Sequence, residues 1–145
     1  MLTLDDMKTA ATMALVGCMV LAATFEVDAA NCSKAMAIAA ETKAGELKSW
    51  SEVYVWFKRY RNCDDGAIAE GFTESITILL ARQWSVLPQL AARADKDTQF
   101  RAFVLKHIDE SADADNLRLI EENAKRKCPP KYTRLCGAFI KRLRE

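Results

Sequence analysis

The chain has 145 residues, half of them hydrophobic, with 21 basic against 20 acidic side chains and a formal charge of +1. That length sustains one hydrophobic core and not two. Charges of both signs are spread along it, and no stripe of Arg and Lys is interleaved with aromatics, which argues against nucleic acid as a partner.

The first predicted element is a cleavable export signal. Lys8 is followed by an apolar run from Ala10 to Phe25, broken by Thr12, Gly17 and Thr24, and Val27-Asp28-Ala29 then supplies a small-x-small cleavage site before Ala30. Asp5 and Asp6 do not suit a positively charged leader, so Met7 is the better start. On this reading residues 1–29 are a signal peptide and 30–145 the mature domain, with no stable membrane insertion once the signal is cut. The signal takes one of the 21 basic and four of the 20 acidic residues, which leaves 20 against 16 and a charge of +4. Two rival readings stay open. A retained anchor would have to span with roughly 16 apolar residues where about 20 are needed. Leu15-Val16-Gly17-Cys18 also looks like a lipobox that would acylate Cys18, although Met19 to Phe25 continue the apolar core without a polar linker.

The mature chain keeps Cys32, Cys63, Cys128 and Cys136, an even number that allows three pairings and suits an oxidising compartment. No pair is spaced C-x-x-C and the single histidine, His107, is distant in sequence, so a zinc site lacks its usual ligand spacing. Two disulfides are expected instead. Cys128 pairs best with Cys136, because Pro129-Pro130 forces a turn between them, and Cys32 with Cys63, because each ends a helical segment.

The remaining elements read as helices. An alanine-rich helix runs from about Cys32 to Ala44. Ser49-x-x-Glu52 is a capping box opening a helix with Val53, Tyr54, Trp56, Phe57 and Tyr60 at helical spacing. Asn62 to Asp65 break it, and Asp64 or Asp65 can cap a central helix whose stripe Ile68, Phe72, Ile76, Leu79 and Leu80 runs on toward Trp84 and Leu87, where Pro88 marks a kink or stop. After a polar turn from Arg93 to Thr98, another helix carries Phe100, Phe103, Val104, His107 and Ile108. A second polar stretch, Asp109 to Asp115, leads to one with Leu117, Ile120 and Ala124. In the last helix Tyr132, Leu135, Cys136, Phe139, Ile140 and Leu143 share a face, with Lys131, Arg134, Lys141, Arg142 and Arg144 in water. The expected fold is all-α: a compact single-domain bundle of five to seven helices, stapled by disulfides.

The chemical inventory is poor. His107 sits on an apolar helical face and reads as a packed core histidine rather than a general base. A Cys/His pair would require a reduced thiol and leave an odd cysteine. Glu70 and Glu74 are one turn apart and read as a solvated face. Trp50, Trp56 and Trp84 fall at core spacing. The acidic stretch from Asp109 to Asp115 lacks the glycine and terminal glutamate of a calcium loop. No catalytic residue, metal or cofactor is assigned, and a binding protein is the default.

Several residues in fixed order carry a likeness: Asn62-Cys63, Ala67-Ile68-Ala69-Glu70-Gly71-Phe72, Leu79-Leu80, Trp84, Phe100, Phe103-Val104, His107-Ile108, Leu117, Ile120, Asn123-Ala124, Cys128-Pro129 and Leu135-Cys136. From about Ala30 to Leu143 this series resembles the type VI secretion amidase immunity proteins, fourth family. The resemblance implies a periplasmic, all-helical homodimer that protects a bacterium from a cell-wall-cutting effector injected by sibling cells. It implies that the dimer blocks the cleft of a cysteine/histidine peptidoglycan amidase with a protruding loop of one subunit, assisted by a helix of the other, and catalyses nothing itself. Asp109, Glu110, Ser111, Asp113 and Asp115 are the first choice for that loop, and Arg93 to Thr98 the second; an ordinary helix connector is the alternative for both. Two other classes are weighed against this: a lipid-tethered or soluble envelope protein of structural role, and a cell-wall hydrolase dependent on His107.

Overall fold

The computed structural model describes residues 31–145, so the signal reading and Cys18 fall outside the described residues. Among those residues there are seven α-helices and no strand: α1 Lys34–Glu41, α2 Trp50–Tyr60, α3 Gly66–Arg82, α4 Leu87–Ala94, α5 Thr98–Lys106, α6 Ala114–Arg126 and α7 Thr133–Arg142. Among the described residues no helix is long and apolar enough to cross a membrane.

Short polar side chains set most helix starts. Ser33, Ser49, Asp97 and Asp113 each accept the amide of the third residue along, at Met36, Glu52, Phe100 and Asn116, which satisfies one otherwise orphaned N–H. The expected capping box at Ser49 closes with a shift, because Glu52 Oε2 accepts the Lys48 amide at 2.8 Å rather than that of Ser49. Asp65 caps α3, and Gly66 follows at φ 50°, a left-handed backbone that favours glycine.

α3 is the axle of the bundle. It packs against α6, α1, α2 and a 3-10 turn at Ala44–Glu46, and Ile68, Phe72, Ile76, Leu79 and Leu80 are all buried, as their spacing requires. The 3-10 turn comes close because residue 71 is glycine; a Cβ there would stand 2.8 Å from both the Ala44 Cβ and the Gly45 nitrogen. Ser75 then bridges the two elements, donating to the Ala44 carbonyl at 2.6 Å and accepting the Leu47 amide at 3.0 Å. Beside α3, Phe57, Phe72, Phe100 and Phe103 stack edge-on or tilted at centroid distances of 4.9–5.3 Å, in contacts worth about 0.5–1.5 kcal/mol each beyond buried area.

Both expected disulfides are present, Cys32–Cys63 with 4.9 Å and Cys128–Cys136 with 6.3 Å between α-carbons. On the chain-entropy model they contribute about 3.5 and 2.5 kcal/mol. The first ties the entry of α1 to the turn before α3; the second ties the end of α6 to α7.

Three expectations need correction. The alanine-rich helix ends at Glu41, and Ala44 belongs to the 3-10 turn. The central helix stops at Arg82, where Gln83 leaves helical geometry, and Pro88 lies in the first turn of α4. Proline lacks an N–H that the first turn does not use, so Pro88 helps to open a helix rather than end one. Arg142 is not simply wet: it is half-buried, and its Nε donates to the Leu105 carbonyl at 3.1 Å. Lys131, Arg134, Lys141 and Arg144 are exposed.

Candidate partner-binding site

The connector between α5 and α6 is built on buried foundations. His107, 2% exposed, closes α5, and the next residue, Ile108, is fully buried. The His107 ring lies against Phe103 and Phe72, at centroid distances of 4.5 and 5.7 Å. Its Nδ1 shares a 2.9 Å hydrogen bond with Thr73 Oγ1 of α3. Its Nε2 faces Asp64 Oδ1 at 3.2 Å without the alignment of a full hydrogen bond, and neither atom has another partner. The other Asp64 oxygen accepts Lys106 Nζ at 2.6 Å. Burial pushes the Asp64 carboxyl up, but the His107 ring and the Lys106 ammonium together hold it below its ordinary value of 3.8. The network pins three elements: the turn before α3, α3 itself and the end of α5.

Beyond Ile108 the chain surfaces. Asp109 turns back on itself, its Oδ1 accepting both the amide and the hydroxyl of Ser111, at 2.8 and 2.6 Å. Partial burial pushes the Asp109 carboxyl up, yet the two Ser111 donors, with Arg142 and His107 nearby, leave it lowered. Asp113 caps α6 through the Asn116 amide at 2.9 Å, and Asp115 already lies in the helix, 3.6 Å from Arg118. Asn116 is buried and accepts Arg82 Nε at 3.1 Å, which fastens the far end to α3. The connector proper is therefore shorter than the stretch from Asp109 to Asp115. Glu110, Ser111 and Asp113 are exposed, and only Glu110 has no bond of its own within the described residues.

The exposed segment lines two surface grooves, with Ser111 in both. One, about 450 Å³, is lined by Asp109, Glu110, Leu117, Arg142 and Leu143. The other, about 540 Å³, brings Glu70 and Glu74 of α3 beside Asp113 and Asp115. In sequence the glutamates and the connector are about 40 residues apart and themselves carry no sign of meeting. They converge through α3–α6 packing, and the only sequence trace of that is Asn116 and Asn123, polar residues placed where α6 must be apolar. Asn123 Nδ2 donates to the Leu80 and Ala81 carbonyls near the end of α3, at 3.2 and 2.9 Å.

The second-choice segment, Arg93 to Thr98, is held differently. α4 runs through Ala94 and α5 begins at Thr98, so only three residues turn. Asp97 accepts the Tyr54 hydroxyl at 3.2 Å as well as the Phe100 amide, and lies 3.6 Å from Lys58 Nζ. All four cysteines of the described residues are in disulfides, so none pairs as a thiol with His107. Among the same residues no group of three or more His, Cys, Asp or Glu is placed to hold a metal ion.

No protein-family model matches the chain, and neither does any curated protein or solved structure.

Proposed function

We propose that this chain is a periplasmic immunity protein of the type VI amidase kind, which binds the active-site cleft of a cysteine/histidine peptidoglycan amidase and blocks it. The observation that carries the reading is the connector between α5 and α6: exposed carboxylate and hydroxyl groups on a short segment anchored at both ends by buried residues. A segment already held in shape loses little conformational freedom on docking, so more of its contact energy appears as affinity. Its negative charge complements a cleft that uses an imidazolium during catalysis. Two disulfides are compatible with an oxidising compartment, and the signal read from residues 7–29 would deliver the chain there. The homodimer belongs to this proposal too, through the ordered residues that resemble the family.

The test is survival of cells that export a cysteine/histidine peptidoglycan amidase to the periplasm, with binding measured in parallel on purified proteins. Wild-type chain should protect and bind with about 1:1 subunit stoichiometry, and Glu110→Lys should lose both while melting normally. Failure of the wild-type chain to bind any such amidase encoded beside it would end this reading.

A further inference from the structure

A second charged surface lies on the α4–α5–α7 side of the bundle. From Lys127 to Arg144 the chain carries six basic residues and no acidic one. α6, just before, follows the opposite rule. Lys125 pairs with Glu121, and Arg118 and Arg126 both reach Glu122, so each cation there has a carboxylate one turn away. In α7 Arg142 reaches Glu145 just past the helix end, but Arg134 and Lys141 have no such partner among the described residues.

Three of the unpaired cations converge. A groove of about 450 Å³ is lined by Arg101 and the half-buried Leu105 of α5, by Lys131 just before α7, and by Arg134 and the half-buried Leu135 and Ala138 of α7. Tyr132 also lines it, with Lys131 Nζ 4.8 Å from the ring centroid, and Asp95 is the one acid in the lining. None of Arg101, Lys131 and Arg134 is ion-paired among the described residues. The groove shares no lining residue with the two that flank the α5–α6 connector.

We propose that this groove docks an extended acidic segment of a partner protein. Cations drawn from two elements, with apolar residues in the same lining, match a chain whose carboxylates project to both sides while its backbone and methylenes meet the apolar residues. A flat anionic bilayer fits less well. Membrane-surface binding needs apolar side chains to enter the lipid, and the large exposed hydrophobics, Ile38 and Val55, lie on α1 and α2 instead. Single-stranded nucleic acid would need several aromatic faces to stack bases, and the groove offers one tyrosine. This goes beyond the amidase reading, since it uses a separate face.

The experiment titrates the full chain against an end-blocked octapeptide of alternating glutamate and alanine, by fluorescence anisotropy at about 50 mM salt. Saturable binding is expected, weakened roughly thirtyfold in Arg101→Gln/Lys131→Gln/Arg134→Gln, and unchanged in Lys125→Gln/Arg126→Gln, whose cations are already paired. The single variant Arg134→Glu should weaken it as well, which covers a triple variant that fails to fold. Equal binding of the glutamine version of the peptide, or equal weakening by the α6 pair of substitutions, would overturn the proposal. So would capture by phosphatidylglycerol vesicles without capture by the peptide, or salt-sensitive self-association that the triple variant abolishes.

Discussion

Two polar connectors flank α5, and as sequence they look alike: each is short, charged and ends on an aspartate that caps the next helix. In the fold they are opposites. The turn before α5 spends its carboxylate inward, on the Phe100 amide, the Tyr54 hydroxyl and the nearby Lys58 ammonium. The connector after α5 does its inward work one residue earlier, through His107 and Ile108, and leaves Glu110 and Ser111 at the surface. What separates a structural turn from a presented one is therefore where the anchoring happens. An anchor within the turn consumes its polar groups, whereas an anchor beneath it frees them for a partner.

The sharpest way to break this comparison is to remove the anchor. His107→Ala deletes a packed ring and leaves the Asp64 carboxylate buried without its imidazole; it should cost about 3 kcal/mol or more in denaturant unfolding and abolish protection. Tyr54→Phe, the matching change beneath the other turn, should cost only about 1 kcal/mol and leave protection intact. A larger loss at Tyr54 than at His107 would invert the assignment.

The two caps sharpen it further. Asp97→Ala removes an amide, a hydroxyl and an ammonium partner and should cost about 2 kcal/mol, while Asp113→Ala removes the cap alone and should cost about 1 kcal/mol. Asp113→Ser, which restores the cap, should recover the melting temperature, so any protection still missing would measure the lost charge. Replacing Asp109, Glu110 and Asp113 together by alanine is a poorer probe, because two of the three also hold the backbone.

Acid should act on both connectors with the same sign. The Phe100 amide first, with the Tyr54 hydroxyl and Lys58, holds the Asp97 carboxyl below 3.8 against a smaller upward push from burial, and Asp109 and Asp64 are lowered as well. A carboxylate depressed in the folded state contributes stability in full above its unfolded pKa, and the contribution is lost as pH falls through the lower folded value. Melting temperature should thus hold near neutrality and begin to fall at about pH 4. Asp97→Asn and Asp109→Asn should each flatten that acid limb, and an unaltered limb in both would count against the hydrogen bonds described here.

The smallest expected effect on stability is at Glu110. Glu110→Ala should shift unfolding by less than about 0.5 kcal/mol, yet weaken amidase binding roughly thirtyfold if the side chain sits at the centre of the contact. A variant that melts normally and protects fully would remove Glu110 from the interface.

Much of this fold was legible beforehand because helical periodicity is a local signal. The stripes of α2, α3, α5 and α7, the caps at Ser49 and Asp65 and the pairing of all four cysteines follow from residues a few positions apart or from their place at element ends, whereas the caps at Ser33, Asp97 and Asp113 come from the structure. The errors have physical causes. Pro88 reads as a kink or stop because proline disrupts a helix interior, and the first turn is the exception. Arg142 reads as solvated because it falls off the apolar stripe, and its carbonyl partner, Leu105, is 37 residues away in sequence. The meeting of Glu70 and Glu74 with Asp113 and Asp115 depends on how α6 is laid on α3, which no local pattern encodes. His107 was expected to be a core residue, and it is; its role beneath the connector needed Asp64 and Thr73, both supplied by other elements.

The Cys128–Cys136 bond also bears on how this domain breathes. It fastens the second turn of α7 to the end of α6, so α7 cannot peel away from its N-terminal side without carrying α6 along. Fraying is left to the opposite end, past Ile140, where the Arg142 bond to Leu105 is the last clasp. Amide hydrogen exchange should run fast from Lys141 onward and slow from Cys136 to Phe139, in a gradient along a single short helix. Reducing the bond should erase the gradient before it unfolds the bundle.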